Sequence, residues 1–159
     1  MARRGVIPPD EIEIQEIAKC VCLQLRRVAR QMTQFYDREL APLGLTVNQF
    51  GLLARLHGSS LNGHAWLSIG ALADLVGMHP TTLNRNLKPL IAQGLVASTV
   101  GARDQRVRAV LITAKGRARL GKAVPFWRRA ETQVRRALGA KVALALNRSL
   151  DLASAKIAK

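Results

Sequence analysis

A chain of 159 residues with 48% hydrophobic and 22% charged side chains can bury a core and is too apolar to be disordered. Its 25 lysines and arginines against 10 acids leave a net charge of +15, which points to a polyanionic partner. No apolar run approaches the roughly 18 residues of a membrane span. The start MARRGVIPPD lacks the apolar stretch of a secretory signal, and two cysteines two residues apart make no disulfide framework. The expectation is a cytoplasmic, nucleoid-associated protein without membrane, metal or cofactor.

The charge is unevenly spread. Residues 1–45 carry seven basic and six acidic side chains, residues 46–112 six and two, and residues 113–159 twelve and two. Most of the excess therefore lies in the last third. There it flanks phosphates, serves an acidic ligand, or is a solvated helix face.

From about Asp10 to Leu40, Ile14, Ile17, Val21, Leu25, Val28, Met32 and Phe35 draw one apolar stripe at helical spacing. A helix of that length spans about 45 Å, more than one small domain covers, so part of the stripe is expected to pack on another subunit. Pro42 and Gly44 close it. Thr46 and Gln49 form a capping box for a second helix reaching about His57, followed by a loop over residues 58–64 and a short strand at Trp66 and Leu67. Ser68 caps a third helix through Val76.

Ala73, Gly77 and Leu83 have the spacing of a helix-turn-helix: a small residue where two helices touch, a glycine in the turn, an aliphatic anchor beyond. Pro80 suits the first turn of the fourth helix, which runs to about Gln93 and stops at Gly94. Pro89 is out of place there and is expected to bend the helix. Two β-rich segments, 95–100 and 107–112, make a hairpin around Arg103, Asp104 and Arg106. Thr113 caps a fifth helix that Pro125 starts or kinks, and Gly139 separates it from a sixth.

With the apolar side of the fourth helix turned inward, His79, Thr81, Thr82, Asn84, Arg85 and Lys88 face outward for double-stranded DNA. Arg85 suits guanine and Asn84 adenine, each by paired hydrogen bonds; the threonines suit phosphate or a thymine methyl. Arg103, Arg106 and Arg108 add cations on the hairpin, with Arg106 at its tip for a minor groove. Asp104, an anion, is expected to hold Arg106 or shape the turn.

The motifs LAPLGLTVNQF at 40–50, LADLVG at 72–77, LIAQGLV at 90–96, DQR at 104–106 and LITAKG at 111–116 resemble the MarR family of winged-helix transcription regulators. The resemblance runs from about Cys22 to Leu150. It implies a mainly α fold with a small β-hairpin wing: a winged helix-turn-helix over 46–112, with dimerisation helices over 10–45 and 113–159. It further implies a homodimer reading an inverted repeat with half-sites about one helical turn apart. Repression is the expected output, since a dimer on a promoter blocks polymerase.

The family resemblance also implies an effector cleft, and a small aromatic acid or coenzyme A thioester fits the arginines at 26, 27, 30, 128 and 129. A second reading is thiol sensing. Cys22 stands ten residues before the position of the reactive cysteine in the hydroperoxide-sensing branch, and Tyr36 matches a tyrosine that holds that thiolate there. Arg26, four residues on, would favour a Cys22 thiolate. Arg26 and Val47 depart from that branch, which has tyrosines there. In an intact helix Cys20 points away from Cys22, which disfavours a bridge between them. A third reading, from charge alone, is a non-specific architectural DNA binder. An enzyme is not expected: His57, His64 and His79 are scattered, and there is no Gly-rich phosphate loop or nucleophile elbow.

Overall fold

The computed structural model describes residues 13–64, 66–100 and 108–157. The chain divides into two compact units, Met1–Gln34 and Phe35–Lys159. Arg103, Asp104 and Arg106 lie outside the described residues.

In the first unit the expected single helix is interrupted. A short α1, Ile14–Ala18, ends at Lys19, whose N–H donates to the Glu16 carbonyl at 3.0 Å, and Cys20 N–H turns back to the Ile17 carbonyl at 3.0 Å. These are three-residue closures that tighten a last turn and stop an α-helix. None of the five residues of α1 is buried, so no packing holds it in line with the next helix. That long helix, α2, Val21–Leu40, begins after the break. Its apolar stripe stays exposed at Val21, Leu25 and Val28, as Ile14 and Ile17 do on α1.

The second unit opens at the end of α2. Leu40 is fully buried, a single 3-10 turn spans Ala41–Leu43, and Gly44 takes the left-handed conformation with φ 65°. The helix α3, Val47–Leu61, carries the expected capping box: Gln49 N–H donates to Thr46 Oγ1 at 3.2 Å and Thr46 N–H to Gln49 Oε1 at 3.0 Å. It is longer than expected, for the loop does not start at residue 58. Gly58 stays helical, Ser60 Oγ donates to the His57 carbonyl at 2.7 Å, and the helix stops only at Asn62.

Strand β1, Leu67–Ser68, precedes α4, Ile69–Val76, which Ser68 caps by accepting from Ala71 N–H at 3.1 Å. Gly77, left-handed at φ 63°, turns the chain into α5, Pro80–Ala92. The helix runs on through Pro89, where the lost backbone bond is outweighed by Leu83, Leu87 and Leu90, all fully buried around it. Gly94 reverses the chain at φ 69°.

Strands β2, Val96–Val100, and β3, Arg108–Ile112, pair antiparallel with Val96 opposite Ile112 and Val100 opposite Arg108. The expected hairpin is in fact two strands of three, because β1 adds to the other edge of β3 with Leu67 opposite Val110. Helix α6, Ala114–Leu138, passes through Pro125 without a break, and Gly139 leads into α7, Ala140–Ile157.

The core is dominated by leucine: positions 40, 52, 53, 56, 72, 83, 87, 90 and 95, closed by Val96, Val110 and Ile112. Phe50 and Trp127 stack at its margin with ring centroids 6.0 Å apart, joining α3 to α6. The closest approach is at Gly116, where a β-carbon would collide with the Leu95 carbonyl and with Ile112 Cγ1. Gly116→Ala should therefore overpack the seam between α6 and the sheet, destabilising by about 3 kcal/mol and lowering Tm by roughly 6–12 °C. Calorimetry checks it; a variant melting with the wild type contradicts the close contact.

Candidate nucleic-acid interface

The reader is built by burying one side of two short helices. Leu72 and Ala73 on α4 meet Leu83 and Leu87 on α5, and a residue larger than alanine at 73 would hold the helices apart. With those side chains inside, Thr81, Thr82, Asn84, Arg85 and Lys88 all project into solvent, as expected. His79 is exposed too, but its ring also has a structural role. Its Nδ1 accepts from Thr81 N–H at 3.3 Å and caps α5. Only its Nε2 edge remains for another partner. Asn86 Nδ2 donates to the Thr82 carbonyl at 2.9 Å and so braces the helix from its flank.

Between α5 and the strands lies an open groove of about 470 Å³ lined by Asn84, Lys88, Ser98 and Arg108 over a floor of Leu87 and Val110. Residues 20 positions apart in sequence, Lys88 and Arg108, thus share one concave surface. The fold brings the recognition helix and the wing root together there. Ser98 escapes a reading of the sequence alone; its place on β2, in register with Val110, is what puts it in the groove. Strand alternation is the signal that could have found it.

Cys22, Arg26 and Arg30 are exposed on α2, and Cys20 is exposed outside both helices. Tyr36 is half-buried, and its hydroxyl donates to Glu131 Oε2 on α6 at 2.6 Å. The other oxygen of Glu131 accepts from Arg135 Nε, also at 2.6 Å. The tyrosine proton is therefore committed to a carboxylate, leaving only oxygen lone pairs for a further partner.

The end of α2 is stitched to its neighbours by more polar contacts that the sequence did not disclose. Asp37 Oδ1 accepts from Val47 N–H at 2.6 Å, placing a carboxylate at the positive end of α3. Arg119 donates to the Leu43 carbonyl at 2.6 Å, and Glu39 faces Arg129 at 3.4 Å.

Burial, together with the bond to Glu131, pushes the Tyr36 hydroxyl well above its ordinary 10.0. The hydrogen bond from Tyr36, assisted by Arg135, holds Glu131 below its ordinary 4.5 against the opposing effect of burial. A raised tyrosine contributes fully below pH 10 and is lost as pH climbs past it. A lowered carboxylate contributes above pH 4.5 and is lost as pH falls. Tyr36→Phe should cost about 1 kcal/mol near neutral pH. The difference from wild type should narrow below about pH 4 and above about pH 10. Denaturant titrations across pH measure it, and a difference constant from pH 3 to 11 contradicts the assignment.

The MarR family profile matches residues 43–107, which hold α3, α4, α5 and β2. The transcriptional regulator MosR of M. tuberculosis, solved in complex with DNA, is 40% identical; the match covers 86% of this chain and 98% of that one with a TM-score of 0.69. The transcriptional repressor CouR, bound to a 23-mer duplex, is 25% identical over 94% of this chain and 99% of that one, with a TM-score of 0.71. The HTH-type transcriptional regulator PetP of Rhodobacter capsulatus is 41% identical over 56 residues, so the matched stretch spans about a third of that relative, 34%, and 35% of this chain. Near-complete coverage of a 40%-identical regulator, with the family's profile lying over the reader, makes this chain a member of the MarR family of DNA-binding transcription regulators.

Proposed function

We propose that the protein is a homodimeric repressor that binds an inverted-repeat operator through α5 and the wing and leaves it when an effector binds the flanking helices. The reading rests above all on the solvent-facing row Thr81, Thr82, Asn84, Arg85 and Lys88, backed by fully buried leucines and joined by Arg108 across the groove. Dimerisation is supported by apolar side chains left exposed: Ile14, Ile17, Val21 and Leu25 at one end of the chain, Val142, Leu144, Leu150 and Leu152 at the other. Residues 10–45 and 113–159 serve as the dimerisation segments, and 46–112 as the DNA-binding domain. Repression is supported by the likeness to CouR, a transcriptional repressor whose chain is matched almost end to end.

Selection from random duplexes should recover an inverted repeat with half-sites about 10 bp apart. Arg85→Ala and Arg106→Ala should each bind the selected duplex at least tenfold more weakly, about 1.4 kcal/mol, and still sediment as dimers. Unchanged isotherms for both variants overturn the assignment of reader and wing. Recovery of no preferred sequence favours the architectural reading.

The effector class that suits Arg26 and Arg30 is a small aromatic carboxylate or its coenzyme A thioester, since a guanidinium binds a carboxylate by two parallel hydrogen bonds. One observation favours thiol sensing as the second reading. The helix does not run through Cys20, so the intact-helix geometry that turned it away from Cys22 does not hold there. Attack of the Cys22 thiolate on an organic hydroperoxide breaks the O–O bond to give a sulfenic acid and an alkoxide that takes a proton from water to become the alcohol, and displacement by the Cys20 thiolate gives a disulfide and hydroxide. Release of the labelled duplex separates the two inputs. Aryl carboxylates or thioesters should release wild type and Cys22→Ser alike. Release by hydroperoxide that Cys22→Ser abolishes assigns the thiol input instead.

A further inference from the structure

The recognition helix and wing leave the strongest charge feature of the molecule unused. Helix α6 carries eight lysines and arginines and one acid, Glu131. Lys115, Lys122, Arg129 and Arg136 recur every seven residues and so form one line along the helix, about 31 Å long. Arg128 stands beside it. The opposite side of the helix is buried at Gly116, Leu120, Ala123 and Ala130, which turns this line outward. Among the described residues, the side chains of Lys122, Arg128 and Arg136 have no hydrogen-bond or acidic partner, whereas Arg129 is paired with Glu39 and Arg135 with Glu131.

The geometry points to a second polyanion surface on α6, whose occupant is the phosphodiester backbone of a DNA segment other than the one held by α5. Three observations select that occupant. Base contacts belong to the N-terminal part of a recognition helix, and α6 departs from the other end of α5, where Lys115 Nζ donates to the Gln93 carbonyl at 2.8 Å. The stripe therefore lies behind the reader and does not serve the same duplex. None of the large exposed hydrophobic side chains lies on α6, so a protein partner would find no apolar anchor. A second copy seated on this line would bring like cations together, so within residues 113–159 the dimer contact belongs to the exposed apolar side chains of α7, while duplex DNA offers one negative charge per roughly 1.7 Å. Contact of this kind is blind to sequence and steeply dependent on salt. It equips the protein to hold a neighbouring stretch of DNA while the reader keeps its operator.

The inference rests on the DNA-binding reading above, and its test keeps the two apart. The full-length protein is first saturated with a donor-labelled duplex recovered by selection, then titrated with an acceptor-labelled duplex of unrelated sequence at several salt concentrations. The comparison is with Lys122→Gln/Arg128→Gln/Arg136→Gln, three exposed sites whose loss leaves the core untouched. Wild type and variant should bind the first duplex equally; failure of the wild type at this step counts against the reader. Energy transfer to the second duplex should appear in the wild type at low salt. In the variant it should weaken at least tenfold, with a log–log salt slope shallower by about 2–3. Absence of energy transfer in the wild type, or an equal signal in the variant, overturns the proposal. An equal DNA signal together with loss of retention on immobilised polyglutamate overturns it in favour of an acidic protein surface.

Discussion

The reader depends on the burial of three leucines. Leu83, Leu87 and Leu90 sit one turn apart on α5 with essentially no exposure, and their burial orients the outward row from Thr81 to Lys88. Rotating the helix by one residue would turn it about 100° and drive Asn84 and Lys88, or Thr82 and Asn86, into the core, at a desolvation cost no surface contact recovers. The same leucines hold α5 together across Pro89. The outward polar row is thus an indirect product of apolar packing: those residues point outward because their neighbours cannot.

Much of this was legible in the residues because it rests on local chemistry. Thr46, Ser68, Thr113 and Pro80 announce helix starts, and Gly77, Gly94 and Gly139 announce ends, since each acts within three or four positions of itself. What escaped was set at longer range. Glu131 lies 95 residues from Tyr36, and Arg119 lies 76 from Leu43, so no periodicity links them. The break at Lys19 and Cys20 escaped for the opposite reason. The apolar stripe runs through it undisturbed, and the interruption reflects a lack of packing on α1. The helical stretch at Gly58 looks like loop in the sequence because glycine and serine favour turns, a weak preference that neighbouring helical bonds override.

The electrostatics divide into two roles. The reading face carries few charges, well separated, with Arg85 and Lys88 among neutral donors and acceptors, as hydrogen-bond discrimination between bases requires. The last third of the chain carries most of the positive excess. Segregation of this kind lets affinity and selectivity vary independently. Cations on α6 can be gained or lost without touching the groove that Asn84, Lys88, Ser98 and Arg108 line.

Thr113 has a mechanical consequence. Its backbone N–H donates to the Leu95 carbonyl at 3.1 Å, its hydroxyl reaches the Gly94 carbonyl at 2.8 Å, and its oxygen accepts from Gly116 N–H at 3.0 Å. One residue therefore clamps the end of the recognition helix to the start of a helix almost twice its length. Such a knot turns α6 into a tiller. A displacement of about 3 Å at its far end, about 37 Å away, is a rotation of roughly 5°. Passed rigidly through the knot, that rotation moves the far tip of α5 by more than about 1 Å, enough to break hydrogen bonds whose working range is about 2.7–3.2 Å. No hinge loop is required for a shift at the far end of α6 to displace α5; leverage suffices.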